Sequence, residues 1–135
     1  MFEITKLAAA DTFTLELTQP NGDPLLGEDG TPLSVTVYGP GSKAYQKAEA
    51  SRSARVGVLL KPKHKNTLTK EESYLENAEF MADCTVSFNG WGYNGAADKA
   101  AMVAAYSDHA IDFITQQVSR AIVNWENFTS SSAQS

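Results

Sequence analysis

Gly90-Trp91-Gly92-Tyr93-Asn94-Gly95 spells G-x-G-x-x-G, the spacing that lets a loop between a strand and a helix bring backbone amides onto a pyrophosphate. The stretch before it reads as a strand and the stretch after it as a helix. Dinucleotide chemistry also needs a loop backbone open to the ligand and a second parallel strand carrying an acid about 20 residues on. Trp91 and Tyr93 crowd this loop and the region beyond is helical, so the glycines read as a turn holding a packed aromatic. The histidines are the next candidates for acid–base or ligand work. His64 lies within Lys61-Pro62-Lys63-His64-Lys65 and His109 beside Asp108. Neither has the H-x-x-x-H spacing that puts two imidazoles on one helix face, and both read as solvated. Cys84 is the only cysteine, which excludes an internal disulfide and a thiolate zinc cage. Its inward-packing neighbours make it a small buried hydrophobe rather than a nucleophile. Asn21, Asp23, Glu28 and Asp29 gather oxygens, but not in the D-x-[DN]-x-[DN]-G order of a calcium loop, and turn formation accounts for them. No catalytic, cofactor-binding or metal-ligating set emerges, and the expectation is a protein that is not an enzyme.

Charge is the stronger signal. Lys43, Lys47, Arg52, Arg55, Lys61, Lys63 and Lys65 face only Glu49, so residues 43–65 carry +6 and the remainder −11 of a formal −5. Such polarity suits a charged partner or self-pairing. Nucleic acid fits poorly, because only Tyr45 interleaves an aromatic and the pI is near 4.9, far from a basic footprint. The 135 residues are one domain's worth, and with 42% hydrophobic and 20% charged residues the composition is that of a globular chain. The opening Met1-Phe2-Glu3-Ile4-Thr5-Lys6 lacks the basic-then-apolar layout of a signal peptide, and no apolar run approaches the ~20 residues of a membrane span. The cytoplasm is the expected compartment, where the sequon Asn127-Phe128-Thr129 has no chemistry.

The elements that would carry these residues follow from periodicity. Phe13, Leu15 and Leu17 alternate with threonines and Glu16, and Leu33, Val35 and Val37 alternate with Ser34, Thr36 and Tyr38. Two antiparallel strands are expected, joined by a long, mobile connection over 19–32. Gly39-Pro40-Gly41-Ser42 ends the second strand, and Ser42 caps a helix from about Lys43 to Leu60 that buries Tyr45, Ala48, Val56 and Leu59 and stops at Pro62. Thr69-Lys70-Glu71-Glu72 is a capping box opening a second helix with Leu75, Ala78, Met81 and Ala82 inside. An acidic helix after a basic one favours an antiparallel pair with complementary flanks, a reading that competes with partner binding. Cys84, Val86 and Phe88 allow a third short strand over 84–88. A short helix over 96–105 and a last helix from His109 to about Asn127, with Ile111, Ile114, Val118, Ile122 and Trp125 inward, complete the chain. The expected fold class is α+β: an N-terminal hairpin on three to four helices in one domain over 1–128, with a disordered polar tail over 129–135.

The stretches Ser34-Val-Thr-Val-Tyr-Gly-Pro-Gly-Ser-Lys-Ala-Tyr45, Phe80-Met-Ala-Asp-Cys-Thr-Val-Ser-Phe88, Ile111-x-Phe113-Ile114-x-x-Gln117-Val118 and Trp125-Glu-Asn-Phe128-Thr129 together resemble the tail assembly chaperones of long, flexible-tailed bacteriophages, the lambda gpG type. The likeness runs over residues 11 to 129. It departs at the glycine-rich Gly90-Trp91-Gly92-Tyr93 and at Val56-Gly57-Val58, which lacks the charges of relatives. The resemblance implies a non-enzymatic protein of the host cytoplasm that coats the tape-measure protein, recruits tail-tube subunits and is absent from the mature virion. It also implies a longer form made by ribosomal frameshifting near the end of the short product. A homo-oligomer is expected, since a carrier lining a long filament must repeat. On the residues themselves, leftover apolar faces would hold an apolar stripe of the tape measure. Lys43, Lys47, Arg52 and Arg55 would form the charged rim. The alternatives are a structural tail or connector component, or a general protein-binding domain.

Overall fold

The structure, a computed structural model, describes residues 1–61 and 67–129. The expected stop at Pro62, His64 with its flanking lysines 63 and 65, and the polar end 130–135 lie outside the described residues. The fold is α+β. Strands β1 (Thr12–Glu16), β2 (Ser34–Tyr38) and β3 (Thr85–Asn89) form one antiparallel sheet in the order β1-β2-β3. Helices α1 (Lys43–Leu60), α2 (Lys70–Asp83), α3 (Lys99–Tyr106) and α4 (Asp112–Val123) accompany it. α2 packs between α1 and α3, while α4 lies against β2.

Alternation places the sheet's inner face. Phe13 pairs with Val37 and Leu15 with Val35, and Val35 in turn pairs with Phe88. Val35 and Val37 are fully buried and join Leu17, Met81, Tyr106, Val118 and Ile122 in one core. The outer face is polar, with the Thr14 and Thr36 hydroxyls 2.9 Å apart and Asn89 Nδ2 donating to both Ser34 and Thr36 oxygens at 3.0 Å. Alternation fails at one point. The register slips between Thr36 and Val37, so that Thr36 faces Ser87 and Val37 faces Thr85. Val86 is the extra residue of a bulge and stays exposed, and Thr85 takes the inner place expected for it. The Thr85 hydroxyl donates to Met81 O at 2.7 Å, so the 2.8 Å contact with buried Tyr106 must be Tyr106 O–H donating to Thr85. Two polar side chains thereby tie the end of α2, β3 and α3 together without an unsatisfied hydroxyl.

The connection expected to be long and mobile is folded. Leu25 N donates to Leu17 O, Leu33 N to Leu25 O and Leu17 N to Leu33 O, and Leu25 and Leu33 pack on the core. Asn21 accepts from Asp23 N and Asp29 from Thr31 N, the self-bonding that suits these residues to turns. The Ser42 cap and the Thr69–Glu72 capping box both form. Leu75, expected inside, is exposed: in the first half of α2 it is Tyr74 and Glu76 that meet the rest of the fold, through His109 and Arg55. Phe80, not foreseen, is buried instead.

The expected last helix is broken twice. A 3-10 turn at His109–Ile111 precedes α4, with Asp108 accepting from Ala110 N. At its far end Asn124 turns extended and caps a second 3-10 turn over Trp125–Phe128. The helical phase is lost there, so Trp125 ends up outside and Phe128 fully buried. The Phe128 ring lies on the backbone of Gly39, where a Cβ would stand 2.4 Å from its Cδ1. Phe13 meets the ring edge-on at 5.9 Å, and Ala10 N donates to Phe128 O at 2.6 Å.

Gly39→Ala is expected to destabilise the fold by roughly 2–3 kcal/mol through overpacking, and Phe128→Ala by about 3–5 kcal/mol through its cavity. Because the three atoms nearest an alanine methyl there all belong to the Phe128 ring, the double variant should lose clearly less than the two together. Urea unfolding of the three variants measures this, and additive losses would refute the contact.

Candidate protein-binding surface

The residues with chemical potential are engaged in the fold. Gly90 and Gly95 have φ of 86° and 80°, and Asn94 has 49°. At Gly92 a Cβ would meet Ala96 O at 2.6 Å. The glycines therefore serve a tight turn in which Tyr93 N and Ala96 N each donate to the other residue's carbonyl. Trp91 stacks on Phe88 at 3.9 Å and donates from Nε1 to Ser34 O at 2.9 Å. Tyr93 O–H donates to Asp108 Oδ2 at 2.8 Å. That hydrogen bond, then the one from Ala110 N and the nearby His109, holds the Asp108 carboxyl below its ordinary value.

Cys84 is fully buried, and burial pushes its thiol up to about 12. That is the opposite of an activated nucleophile. His109 stacks on Tyr74 at 4.0 Å, and the Tyr74 hydroxyl donates to Asp112. Burial, then that hydrogen bond, pushes the Tyr74 phenol up to about 12. Among the described residues, no three of His, Cys, Asp and Glu gather as a metal site requires. A hollow of about 780 Å³ lies between the hairpin connection and Gly90, but the Asp29 carboxylate on its wall is occupied by the Thr31 amide.

The basic helix divides into two functions. Arg55 Nε donates to Glu76 Oε1 at 2.6 Å and its Nη1 lies 3.7 Å from Asp83 Oδ2; Lys99 pairs with the other Asp83 oxygen. One relay of charges thus joins α1, α2 and α3. Arg52 places its guanidinium 3.9 Å from the centre of the Phe80 ring and reaches Glu49, a cation–π contact. Arg52 and Arg55, expected in a partner-facing rim, both contact α2, Arg55 through its carboxylates and Arg52 through the Phe80 ring, while the Arg52 side chain stays 38% exposed. Lys43 and Lys47 remain exposed, four residues apart on one side of α1.

Around Lys43 the structure assembles what periodicity missed. The Trp125 ring comes within 3.2 Å of the position a Cβ would take on Gly41, two residues before Lys43. Trp125 is nevertheless 54% exposed and Val123, just before it, 57%. Beside them Asp11, Tyr38, Gly41, Lys43 and Ala44 line an open hollow of about 410 Å³. Exposed Trp125 thus stands beside a hollow that carries Tyr38, the cation Lys43 and the acid Asp11. Asn124, a cap-forming residue directly before Trp125, was the available signal that the last helix would end there.

Two outcomes follow from these environments. Cys84 is expected to resist Ellman's reagent in the native protein and to react stoichiometrically in denaturant; rapid native labelling would count against its burial. Asp108, with a folded value below its ordinary 3.8, contributes stability that is present above that value and lost as pH falls through the lower folded one. Asp108→Asn should therefore flatten the acid limb of the stability–pH curve, whereas an unchanged limb would show that Asp108 plays no part in it. A scan against protein-family models, a search of curated proteins and a search of solved structures each found no match to this chain.

Proposed function

We propose that the protein is a tail assembly chaperone of a long-tailed phage. It holds the tape-measure protein and recruits tail-tube subunits in the host cytoplasm, then leaves before the tail is finished. The sequence resemblance over residues 11 to 129 supports the class of cargo. What carries the mode of grip is the start of α1. Lys43 is its first residue, Lys47 follows one turn later, and no acid stands in the first turn. A cation in the first turn, at the positive end of a helix dipole, costs about 0.3–1 kcal/mol, and among the described residues neither Lys43 nor Lys47 makes an ion pair that would offset it. A penalty left uncompensated beside an exposed tryptophan is accounted for by an acidic, apolar-striped partner helix. The tryptophan supplies the apolar anchor and the lysines the rim.

The charges of Arg52 and Arg55 belong to the fold, so the informative substitutions are elsewhere. Lys43→Glu with Lys47→Glu should weaken binding of a tape-measure fragment several-fold and make it less sensitive to salt. The same pair should leave thermal stability unchanged or slightly raised. Trp125→Ala should cost roughly 2 kcal/mol or more, about thirtyfold in Kd. Calorimetry of each variant against the fragment tests this, and undiminished binding would remove the surface from the interface. Mass spectrometry of finished particles tests the role itself: an assembly factor is missing from them, whereas a stoichiometric band would favour the structural-component alternative.

A further inference from the structure

In β1 the backbone polar groups alternate between the neighbouring strand and the open edge. Gly39 N donates to Asp11 O and Leu17 N to Leu33 O, and the register pairs Phe13 with Val37 and Leu15 with Val35. The groups of Asp11, Phe13, Leu15 and Leu17 therefore point into the sheet, and those of Thr12, Thr14 and Glu16 point off its edge. All three are exposed, and among the described residues their outward amides and carbonyls meet no backbone partner. The row is closed at its ends. Phe128 O takes the Ala10 amide. At Thr18 the side-chain amide of Gln117 does what a neighbouring strand would do: its Oε1 accepts from Thr18 N and its Nε2 donates to Thr18 O, each at 2.8 Å. Between these stops about 14 Å of edge lies open. The other edge strand, β3, is blunted by the bulge at Val86.

Beside the open stretch, α4 and the turn after it leave a hollow of about 400 Å³, lined by Leu15, Thr18, Arg120, Ala121, Asn124 and Asn127, with Glu16 at its edge. Arg120 is exposed and makes no ion pair among the described residues. We infer that this edge takes up an extended segment of another protein as a fourth strand. A row of free amides and carbonyls at strand spacing is matched by a peptide backbone. Side chains of the added strand alternate between faces. On the inner face one enters the hollow, where Arg120 selects a carboxylate; on the outer face a cation suits the place opposite Glu16. The occupant is thus an extended segment of about five residues with an acid on one face and a base on the other. The β1 strand of a second copy does not qualify. Gln117 and Phe128 stand on the pairing side of each copy, at Thr18 and Ala10, and strands set antiparallel about Thr14 would drive the Gln117 of one into the Phe128 of the other. The inference stands apart from the cargo assigned above, since the edge includes none of Lys43, Lys47 and Trp125.

The probe is a display library of random decapeptides selected on the immobilised full chain, the selected peptides then being synthesised and titrated by calorimetry. Binders are expected to be rich in β-branched residues and to carry an acid. Methylating their backbone amides one at a time should weaken binding about tenfold or more at alternate positions and little at those between, because only every second amide of an added strand faces β1. Thr14→Pro removes one outward N–H without breaking a bond to β2 and should abolish binding. Arg120→Glu, a surface change that covers the case in which the proline variant misfolds, should weaken it several-fold. Failure to select any peptide, methylation effects without alternation, or undiminished binding by either folded variant would overturn the proposal. So would a wild type that dimerises where Thr14→Pro stays monomeric, since the edge would then belong to a second copy.

Discussion

The fold depends on a phenylalanine ring lying on a glycine. Phe128 closes the chain by packing where Gly39 has no side chain. Its carbonyl takes the Ala10 amide, and Asp11 just beyond takes the Gly39 amide. The sheet's first two strands, the start of α1 and the last 3-10 turn of the described residues thus meet at one point. A three-stranded sheet is marginal until its apolar face is covered, and here coverage comes from elements distant in sequence. The closing turn must therefore be reached by a chain that has already left its helix, which is why Asn124 interrupts α4. Exposure of Trp125 is the consequence: the turn that sends Phe128 inward sends Trp125 out.

The same economy of position engages, among the described residues, the groups that the sequence singled out for chemistry. A nucleophile or a general base needs an open approach and a perturbed ionisation suited to it. Cys84 is enclosed and held as a thiol, the glycine loop is folded on itself, and the Asp108 oxygens are taken by Tyr93 and Ala110. Perturbed groups in this protein are perturbed by packing and by hydrogen bonds that secure loops.

Local signals carried well from sequence to structure. The Ser42 cap, the Thr69–Glu72 box, the alternation of Phe13, Leu15, Val35 and Val37, and the turn-forming Asn21 and Asp29 need only a few neighbouring residues, and each formed as read. The misreadings lie where distant segments decide. Val86 obeys alternation until a bulge against β2 shifts it, and Leu75 obeys helical spacing but lies on a side of α2 left exposed while Tyr74 and Glu76 beside it meet His109 and Arg55. Arg52 and Arg55 are indistinguishable in sequence from Lys43 and Lys47. Only the approach of Phe80, Glu76 and Asp83 separates the two pairs. Sequence alone therefore could not separate the cations that α2 engages from those left on the surface, because one helix serves both the interior and the outside.

That division bears on the charge polarity itself. An exposed ion pair is worth only about 0.2–1 kcal/mol, so a +6 segment would be a poor investment if complementarity with α2 were its whole purpose. The arginines are the members drawn inward, where planar guanidinium groups can bridge carboxylates and stack on a ring. The lysines left outside are long, hydrated point charges, suited to partners that are held and released. Placing them at the unfavourable end of α1 costs stability that a purely structural arrangement would recover by exchanging one for an acid. In the proposed interface, that cost would be offset by an acidic partner docking beside the exposed Trp125.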